Sequence, residues 1–416
     1  MLDSGTGQMK TNKQILVGLI CLLIIFLAVG TFILNEPMQK FEVTQEKMDT
    51  YVTITIYHNN EDEANNIIEL AFDKMDEIID VASRFDSESE LSILNTNGVI
   101  KNPSDDLVEM IEESIHFWNL TDGAFDVTIL PLLNLWNDDK SLLNINKSFI
   151  EDLNEGNFTN QLKEIFNSIQ PPIYALNESP TVELDENIWV ISSSWQKYYI
   201  TEKNESNLEI STKFYYLPYE TQEEYINQTL PFIGSDKILV NQSEIRLETG
   251  MSITLDGMAK GYIVDKALQV LENNGIKNAM IDAGGDIATL GTKPDGDNWI
   301  VGLRNPNNKS ESVAEFQLAN QAITTSGNYE RYFDEEADVG HIMDPLTGRS
   351  VYKCSSASII ANNCTIADIL STAVFVCGPE QGIEIVEALP NVETIILGYE
   401  NPEEITYSSG IQSYVI

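Results

Sequence analysis

Short strand-like segments and longer helix-like segments alternate irregularly along this chain, and this pattern most limits the folds open to it. Apolar residues alternate over 51–57, as in a strand with one buried face, and recur at helical spacing over 63–85. Further strands are predicted at 238–240, 245–247, 278–282, 299–303 and 357–361, and further helices at 107–120, 261–273 and 367–376. Because no regular βαβ repeat appears, the pattern predicts an α+β fold built on a mixed sheet.

One segment has the length and composition of a transmembrane helix. Residues 15–34 carry no charge, and about 20 apolar residues cross a hydrocarbon core of ~30 Å. Lys10 and Lys13 precede the segment and an acidic body follows it, so we expect a cytoplasmic tail at 1–14 and an extracytoplasmic remainder. The alternative is a signal peptide cleaved after Ala28-Val29-Gly30. We expect an uncleaved, single-pass anchor in the cell membrane, because apolar residues continue through 31–34.

The charge of the chain excludes some classes of partner. Lys and Arg number 24 against 65 Asp and Glu, which gives a formal net charge of −41. Nucleic-acid binding requires clustered Lys and Arg, and so does docking on anionic lipid headgroups, so neither is expected here. The hydrophobic fraction of 43% is that of a globular protein and not of a disordered acidic tail.

The composition changes between 137 and 236. This stretch is rich in Asn, Glu, Ser and Tyr with weak periodicity, although 188–191 and 198–200 are predicted strands. We interpret it as an inserted surface module of unknown role.

Outside the apolar segment the chain has three cysteines, Cys354, Cys364 and Cys377, whose spacing fits no zinc motif. A Cys354–Cys364 disulfide and buried free thiols are both compatible with the sequence.

Polar, glycine-containing loops separate the apolar segments. Glycine lets a ligand approach the backbone closely, and the N–H groups of such loops can bind anions. Lys260 directly precedes a predicted helix, where a cation opposes the helix dipole unless a phosphate lies between them; a solvated lysine is the other interpretation. Asp368 and Thr372 are four residues apart on a predicted helix, so both oxygens lie on one face and suit Mg²⁺ with phosphate ligands. An Asp near a helix start beside a buried Thr is the alternative.

Seven motifs, in this order, resemble the ApbE family of FAD:protein FMN transferases. They are Ser-Glu-Leu-Ser-Ile-Leu-Asn at 89–95, Asp-Gly-Ala-Phe-Asp at 122–126, Leu-Asp-Gly-Met-Ala-Lys-Gly-Tyr-Ile-Val-Asp at 255–265, Ala-Gly-Gly-Asp at 283–286, Thr-Ser-Gly at 325–327, His-Ile-Met-Asp-Pro-Leu-Thr-Gly at 341–348 and Ala-Asp-Ile-Leu-Ser-Thr at 367–372. The resemblance covers 41–136 and 237–416. It implies a T-fold-like catalytic domain that is interrupted by the insertion at 137–236.

The resemblance also implies an activity and a set of site residues. The family transfers FMN from FAD to a Ser or Thr hydroxyl of an acceptor protein and releases AMP, which is a displacement at phosphorus. By similarity, Mg²⁺ would be held by Asp368, Thr372 and the Gly257 carbonyl, with Ser371 as a fourth candidate, and Lys260 would stabilise charge on the pyrophosphate. The implied FAD pocket comprises Met48, Phe85, Ala124, Phe125, Asp126, Thr254, Lys260, His341 and Ile342.

Three positions depart from the family pattern. Phe85 stands where the family often has Tyr, so ring stacking is retained while a hydroxyl hydrogen bond is lost. Thr254 and Asp256 stand where many members have Asp and Gly, a variant form of the loop. The general base for the acceptor hydroxyl is left open between His341, Asp286 and a metal-bound hydroxide.

Two other functions remain compatible with the sequence. An FAD pyrophosphatase would use the same groups with water as the nucleophile, giving FMN and AMP. A non-catalytic extracytoplasmic flavin-binding protein would not need the candidate metal ligands. The expected partner is an acceptor protein with a Ser/Thr flavinylation motif, as in membrane-bound or secreted electron-transfer subunits.

Overall fold

The computed structural model describes residues 37–146, 181–185, 188–193, 196–204, 207–305, 308–328, 332–334, 339–401 and 403–416. Within these ranges no helix is both long and apolar enough to cross a membrane. The predicted anchor at 15–34 lies outside the described residues, as does part of the predicted insertion.

Eight α-helices are described, and those predicted from the sequence all appear with small changes at their ends. They are α1 Glu61–Ala82, α2 Glu90–Asn97, α3 Asp105–Leu120, α4 Leu130–Asn137, α5 Tyr219–Thr229, α6 Ala259–Asn273, α7 Cys364–Cys377 and α8 Pro379–Glu387. Side-chain caps explain the starts of several of them. Asn60, Ser89, Ser104 and Asn363 each accept a hydrogen bond from a backbone N–H in the first turn of the following helix.

The strands are mostly short. They are β1 Gln39–Lys47, β2 Thr50–His58, β3 Val99–Lys101, β4 Asp139–Asn146, β5 Thr181–Asp185, β6 Ile188–Ser193, β7 Gln196–Asn204, β8 Asn207–Lys213, β9 Leu239–Asn241, β10 Glu244–Arg246, β11 Ala279–Ala283, β12 Asp286–Leu290, β13 Trp299–Asn305, β14 Asn308–Leu318, β15 Ala322–Ser326, β16 Tyr332–Asp334, β17 Val339–Gly340, β18 Met343–Asp344, β19 Arg349–Ser350, β20 Cys354–Ala361, β21 Glu393–Gly398 and β22 Ile405–Tyr407.

The largest sheet has eight strands in the order β1-β2-β11-β12-β15-β20-β21-β22. Every neighbouring pair in it is antiparallel, so the predicted mixture of parallel and antiparallel strands is wrong for the described part of this sheet. The hairpins β1–β2, β11–β12 and β21–β22 supply three of the pairs directly. The α+β class itself is confirmed, with helices and antiparallel strands in one domain.

Each face of this sheet is covered by a different layer. Helices α1, α6 and α7 pack on one face, where the largest apolar cluster includes Ile54, Ala288 and Ile359 from the strands. The next residues along the strands, such as Ile287 and Ile360, point to the opposite face and join β13 and β14 in a second cluster. Such alternation is expected because successive strand side chains lie on opposite faces.

The predicted insertion contains a second, five-stranded antiparallel sheet in the order β4-β8-β7-β6-β5. The predicted strands at 188–191 and 198–200 are confirmed as parts of β6 and β7. After this sheet, α5 and Phe214 pack against α4 and against Val339 and Met343 in a third apolar cluster. The end of the insertion is therefore packed against the loop that contains His341.

All three cysteines outside the predicted anchor are free thiols, and Cys354 and Cys364 are buried. Of the two alternatives that the sequence left open, the structure has the free thiols. Burial raises the pKa of the Cys354 thiol to about 12, so the thiolate that would attack a disulfide or bind a metal is suppressed.

The carboxylate of Asp265 joins α6 to the start of α7. One oxygen accepts a hydrogen bond from Cys364 N at 2.8 Å, and the other accepts from Thr365 N at 2.8 Å and from Thr365 Oγ1 at 2.6 Å. A helix N-terminus has unpaired N–H groups, and a carboxylate there satisfies them and complements the dipole. Asp265 thus caps α7 from a neighbouring helix.

We predict that Asp265→Asn lowers the free energy of unfolding by about 1–3 kcal/mol, because an amide cannot accept all three hydrogen bonds and leaves a buried N–H unpaired. Urea unfolding measures this. Asp73→Asn, at an exposed position on α1, is the matched control and is expected within about 0.5 kcal/mol of wild type. Equal midpoints for the two variants would contradict the capping role.

Candidate active site

Residues 251–258, which lead into α6, are held by contacts with two distant parts of the chain. The side chain of Asn95 donates to Ile253 O at 2.8 Å and accepts from Ile253 N at 2.7 Å. Thr254 N donates to Val127 O at 2.8 Å, which places this loop beside the loop 122–128. These contacts bring Asn95 of the 89–95 motif and the loop 122–128 next to the segment that leads to Lys260.

The start of α6 lies directly against α7. Gly261 N donates to Asp368 Oδ2 at 3.0 Å, and a Cβ at position 261 would overlap the carbonyl oxygen of Cys364. Only glycine permits this approach of the two helices. Lys260, which was predicted to precede this helix, lies in its first turn, and the Gly after it brings the start of α6 into contact with α7, the helix that carries Asp368.

Lys260, Asp286 and Asp368 form a buried charge cluster. The Lys260 ammonium lies 2.7 Å from Asp286 Oδ2, with the lysine side chain one-third exposed and Asp286 buried. Burial raises the pKa of Asp368 to about 7, the charge of Asp286 adds to this increase, and Lys260 opposes it. Burial also raises the pKa of Asp286, against the effect of Lys260. Burial alone would lower the pKa of Lys260, but Asp286 and Asp368 together hold it above its usual value.

Neutral oxygens border this cluster. Ser326 Oγ lies 2.7 Å from Ser371 Oγ and 3.3 Å from Thr372 Oγ1, and Ser371 Oγ donates to Asp368 O at 2.9 Å. A Cβ at Gly257 would lie 3.5 Å from Thr372 Oγ1, so Gly257 is next to this hydroxyl group. The structure thus brings together the four predicted metal-site residues, Gly257, Asp368, Ser371 and Thr372.

This donor set fits Mg²⁺. Asp368 Oδ2 accepts the Gly261 hydrogen bond, whereas Oδ1 has no hydrogen-bond partner among the described residues. Glycine at 257 leaves open the space that a side chain would fill next to Thr372. Mg²⁺ commonly binds one or two carboxylates with neutral oxygens and substrate phosphates. In the described residues no three His, Cys, Asp or Glu side chains group as a metal cluster, so binding would depend on such a mixed set.

The loop 122–128 contributes a ring and a buried carboxylate. Phe125 Cε2 lies 3.3 Å from the position of a Gly257 Cβ, which places this predicted pocket residue beside the hydroxyl group of Thr372, and Ala124 precedes it in the loop. Asp126 Oδ1 accepts from Thr128 N, Thr128 Oγ1 and Ser235 Oγ, and burial raises its pKa. These bonds assign Asp126 a structural role in the loop, and its predicted contact with FAD stays a prediction.

Arg84 links an exposed aromatic residue to the loop before α6. Phe85 is 77% exposed, and the Arg84 guanidinium lies over its ring at 4.1 Å. Arg84 Nε also donates to Asp256 Oδ2 at 2.9 Å. The variant Asp256 thus orients Arg84, and the neighbouring Thr254 accepts from Asp256 N through its hydroxyl. The Phe85 ring is therefore accessible to a ligand, while the Arg84 guanidinium lies over one of its faces.

Met48 and His341 each lie in a turn. Met48 is in the β1–β2 turn with a positive φ of 54° and is partly buried against the main core. His341 follows β17, and Ile342 N donates to Asn328 Oδ1 at 3.1 Å while Asn328 Nδ2 donates to Val351 O at 2.9 Å. The buried Asn328 thus holds both ends of the turn that carries His341.

Four residues that matter for this geometry were not predicted from the sequence as site residues. Arg84 has no spacing relation to Asp256, and the roles of Asp265, Ser326 and Asn328 depend on contacts between distant segments. Ser326 and Asp265 lie within the motifs at 325–327 and 255–265, and this position was the only sign in the sequence that they belong near the site. Asn328 directly follows the Thr-Ser-Gly motif.

Comparison with known proteins identifies the family. The ApbE family model matches residues 48–396, so this chain belongs to the ApbE family, and the resemblance inferred from its motifs is confirmed. An FAD:protein FMN transferase of Vibrio cholerae is 24% identical over 360 residues, covering 85% of this chain and 86% of that protein. One from Treponema pallidum is 34% identical over 162 residues, covering 36% of this chain and 44% of its own length.

Solved structures agree on the fold. The ApbE protein of Thermotoga maritima matches with a TM-score of 0.65 at 24% identity, covering 90% of this chain and 99% of that one. The flavin transferase ApbE of Vibrio cholerae matches with a TM-score of 0.62 at 21% identity, covering 91% and 100%. The predicted ApbE-like fold is therefore confirmed.

We predict that Lys260→Met destabilises the metal-free protein by about 2 kcal/mol at pH 8, because Asp286 loses its cation while remaining buried; the partial exposure of Lys260 reduces the effect. The loss of stability caused by Lys260→Met should be smaller at pH 5 than at pH 8. The folded-state pKa values of Asp286 and Asp368 lie above the unfolded value of about 3.9, so the folded form gains protons and stability as the pH falls.

Chemical denaturation in EDTA at both pH values measures this effect. Lys266→Met is the matched control, since Lys266 lies on the same helix and pairs with the exposed Glu109. A Lys260→Met deficit that is equal at pH 5 and pH 8 would contradict the charge balance inferred for the cluster.

Proposed function

We propose that this chain is a Mg²⁺-dependent enzyme that transfers FMN from FAD to a Ser or Thr hydroxyl of an acceptor protein and releases AMP. The relatives that share its family are FAD:protein FMN transferases. The observation that carries the proposal is the convergence of Lys260, Asp368, Thr372 and Gly257 at the junction of α6 and α7. A cation, a carboxylate and neutral oxygens at one point are what a pyrophosphate with Mg²⁺ requires.

In the proposed reaction the acceptor oxygen forms a bond to the phosphorus of the FMN half, and the bond from that phosphorus to the oxygen of AMP breaks. Asp368, Thr372 and the Gly257 carbonyl would hold Mg²⁺, which would neutralise charge on the pyrophosphate. Lys260 adds a second positive charge, and Asp286 at 2.7 Å fixes the position of its ammonium. The acceptor proton passes to a base.

His341 is the better-supported base. Asp286 is buried and its Oδ2 lies 2.7 Å from the Lys260 ammonium, so this oxygen is occupied in holding the lysine. An imidazole can take a proton from a hydroxyl, and His341 lies in a turn whose backbone is fixed by Asn328, two residues after Ser326.

The apolar side chains around this junction are proposed to bind the ring systems of FAD. Phe85 and Phe125 offer aromatic rings that can stack on the flavin or the adenine. The smaller contacts are proposed to come from Met48, Ala124 and Ile342.

The cellular setting is also a proposal. An uncleaved anchor at 15–34 would leave residues 35–38 before β1, and four extended residues reach at most about 14 Å. The enzyme would then work close to the outer face of the cell membrane, where membrane-bound or secreted electron-transfer subunits with a Ser/Thr motif are accessible. The insertion at 137–236 would either contact such an acceptor or have no part in the reaction.

The activity is tested by incubating the full chain with FAD, Mg²⁺ and a carrier domain with a Ser/Thr flavinylation motif, and measuring the intact mass of the carrier. We expect a gain of FMN minus water, abolished by EDTA or by Asp368→Ala and retained in the control Asp73→Ala. FAD hydrolysis with an unmodified carrier would indicate a pyrophosphatase instead. FAD binding without turnover would indicate a non-catalytic flavin-binding protein.

We predict that His341→Ala lowers the single-turnover transfer rate at pH 7 by about 100-fold, because general-base catalysis contributes that much or more. FAD affinity, measured by fluorescence, should change little, since the Asn328 contacts are made by backbone groups of this turn. A rate near that of wild type would exclude His341 as the base and favour Asp286 or metal-bound hydroxide.

A further inference from the structure

The hydroxyl groups of Ser326, Ser371 and Thr372 form a series of hydrogen bonds, and the donor of each bond can be assigned. Ser371 Oγ is 2.9 Å from Asp368 O, and a carbonyl oxygen only accepts, so the hydroxyl hydrogen of Ser371 is committed to this bond. The 2.7 Å contact between Ser326 and Ser371 must therefore use the hydrogen of Ser326. The 3.3 Å contact between Ser326 and Thr372 must then use the hydrogen of Thr372.

This direction determines what Thr372 presents to a ligand. Because its hydrogen points to Ser326, the lone pairs of Thr372 Oγ1 are free to bind a cation beside Gly257. If the direction were reversed, one lone pair of Thr372 Oγ1 would accept from Ser326, and the cation would compete with the unbonded hydrogen for the space at the other. Ser371 is the last of the three hydroxyl groups in this series, is 1% exposed, and donates its hydrogen to the backbone of Asp368.

We infer that Ser326, at the end of β15, is a positioning residue that orients the Thr372 hydroxyl for cation binding, and that Ser371 acts through Ser326 and not as a separate metal ligand. The inference rests on the cation site of the proposed function and deepens it. It adds β15 to a cation site whose proposed ligands come from α7 and from the loop before α6. Residues that orient a metal ligand commonly change metal affinity by about 10–100-fold when they are removed.

The inference is tested by binding of Mn²⁺ to the full chain, with free Mn²⁺ counted by electron paramagnetic resonance and Mg²⁺ measured by competition. Ser326→Ala should weaken Mn²⁺ binding about tenfold. Ser326→Thr retains a hydroxyl and should restore affinity close to that of wild type. Thr372→Val, which removes the ligand itself, should weaken binding more than Ser326→Ala does.

Ser358→Ala is the matched control. Ser358 is buried and its Oγ lies 2.8 Å from Thr325 Oγ1, so this substitution removes a hydroxyl–hydroxyl bond from the residue next to Ser326 but outside the site. It should leave Mn²⁺ affinity unchanged. Urea unfolding of both alanine variants separates a loss of affinity from a loss of stability.

A double-mutant cycle separates the two roles of Ser371. If Ser371 acts through Ser326, the variant with both serines replaced by Ala binds Mn²⁺ no more weakly than Ser326→Ala alone. If the two losses multiply, Ser371 is an independent ligand and the inference is wrong. Unchanged affinity in Ser326→Ala would also overturn it while leaving the proposed function intact. Absence of Mn²⁺ and Mg²⁺ binding to wild type would overturn both.

Discussion

The close contact between α6 and α7 is the constraint on which the rest of the candidate site depends. Gly261 has no side chain to separate the helices, its N–H binds Asp368, and Asp265 one turn further on caps α7. Each of these contacts keeps Lys260, in the first turn of α6, and Gly257, in the loop before it, in register with Asp368 and Thr372. The helices in turn lie on one face of the eight-stranded sheet, whose strands β12 and β15 supply Asp286 and Ser326.

The electrostatics of this junction favour the binding of a positive charge. Two buried carboxylates, Asp286 and Asp368, lie near one ammonium group; burial raises the pKa of both, and the charge of Asp286 raises that of Asp368 further. Burying an unpaired charge is costly, so the site favours either a proton or a metal ion near Asp368. A divalent cation would remove the imbalance and leave Lys260 available to a phosphate.

The sequence was sufficient for the parts of the fold and site that local patterns encode. Helical spacing located α1, α3, α6 and α7, and the ordered motifs located Lys260, Asp368 and Thr372. Strand direction was not encoded locally, since it depends on how distant strands pair, and the mixed sheet was therefore a wrong prediction. The link from Arg84 to Asp256 and the packing of α5 against the His341 loop join segments far apart in the chain, which no local pattern reveals.

The central claim is that a divalent cation binds where α6 and α7 meet. Anomalous scattering from crystals of this protein soaked with Mn²⁺ tests it most directly, because the signal locates the metal independently of activity. The account predicts a peak within coordination distance of both Asp368 Oδ1 and Thr372 Oγ1, beside the Gly257 carbonyl. A peak elsewhere, with none between these residues, would contradict it.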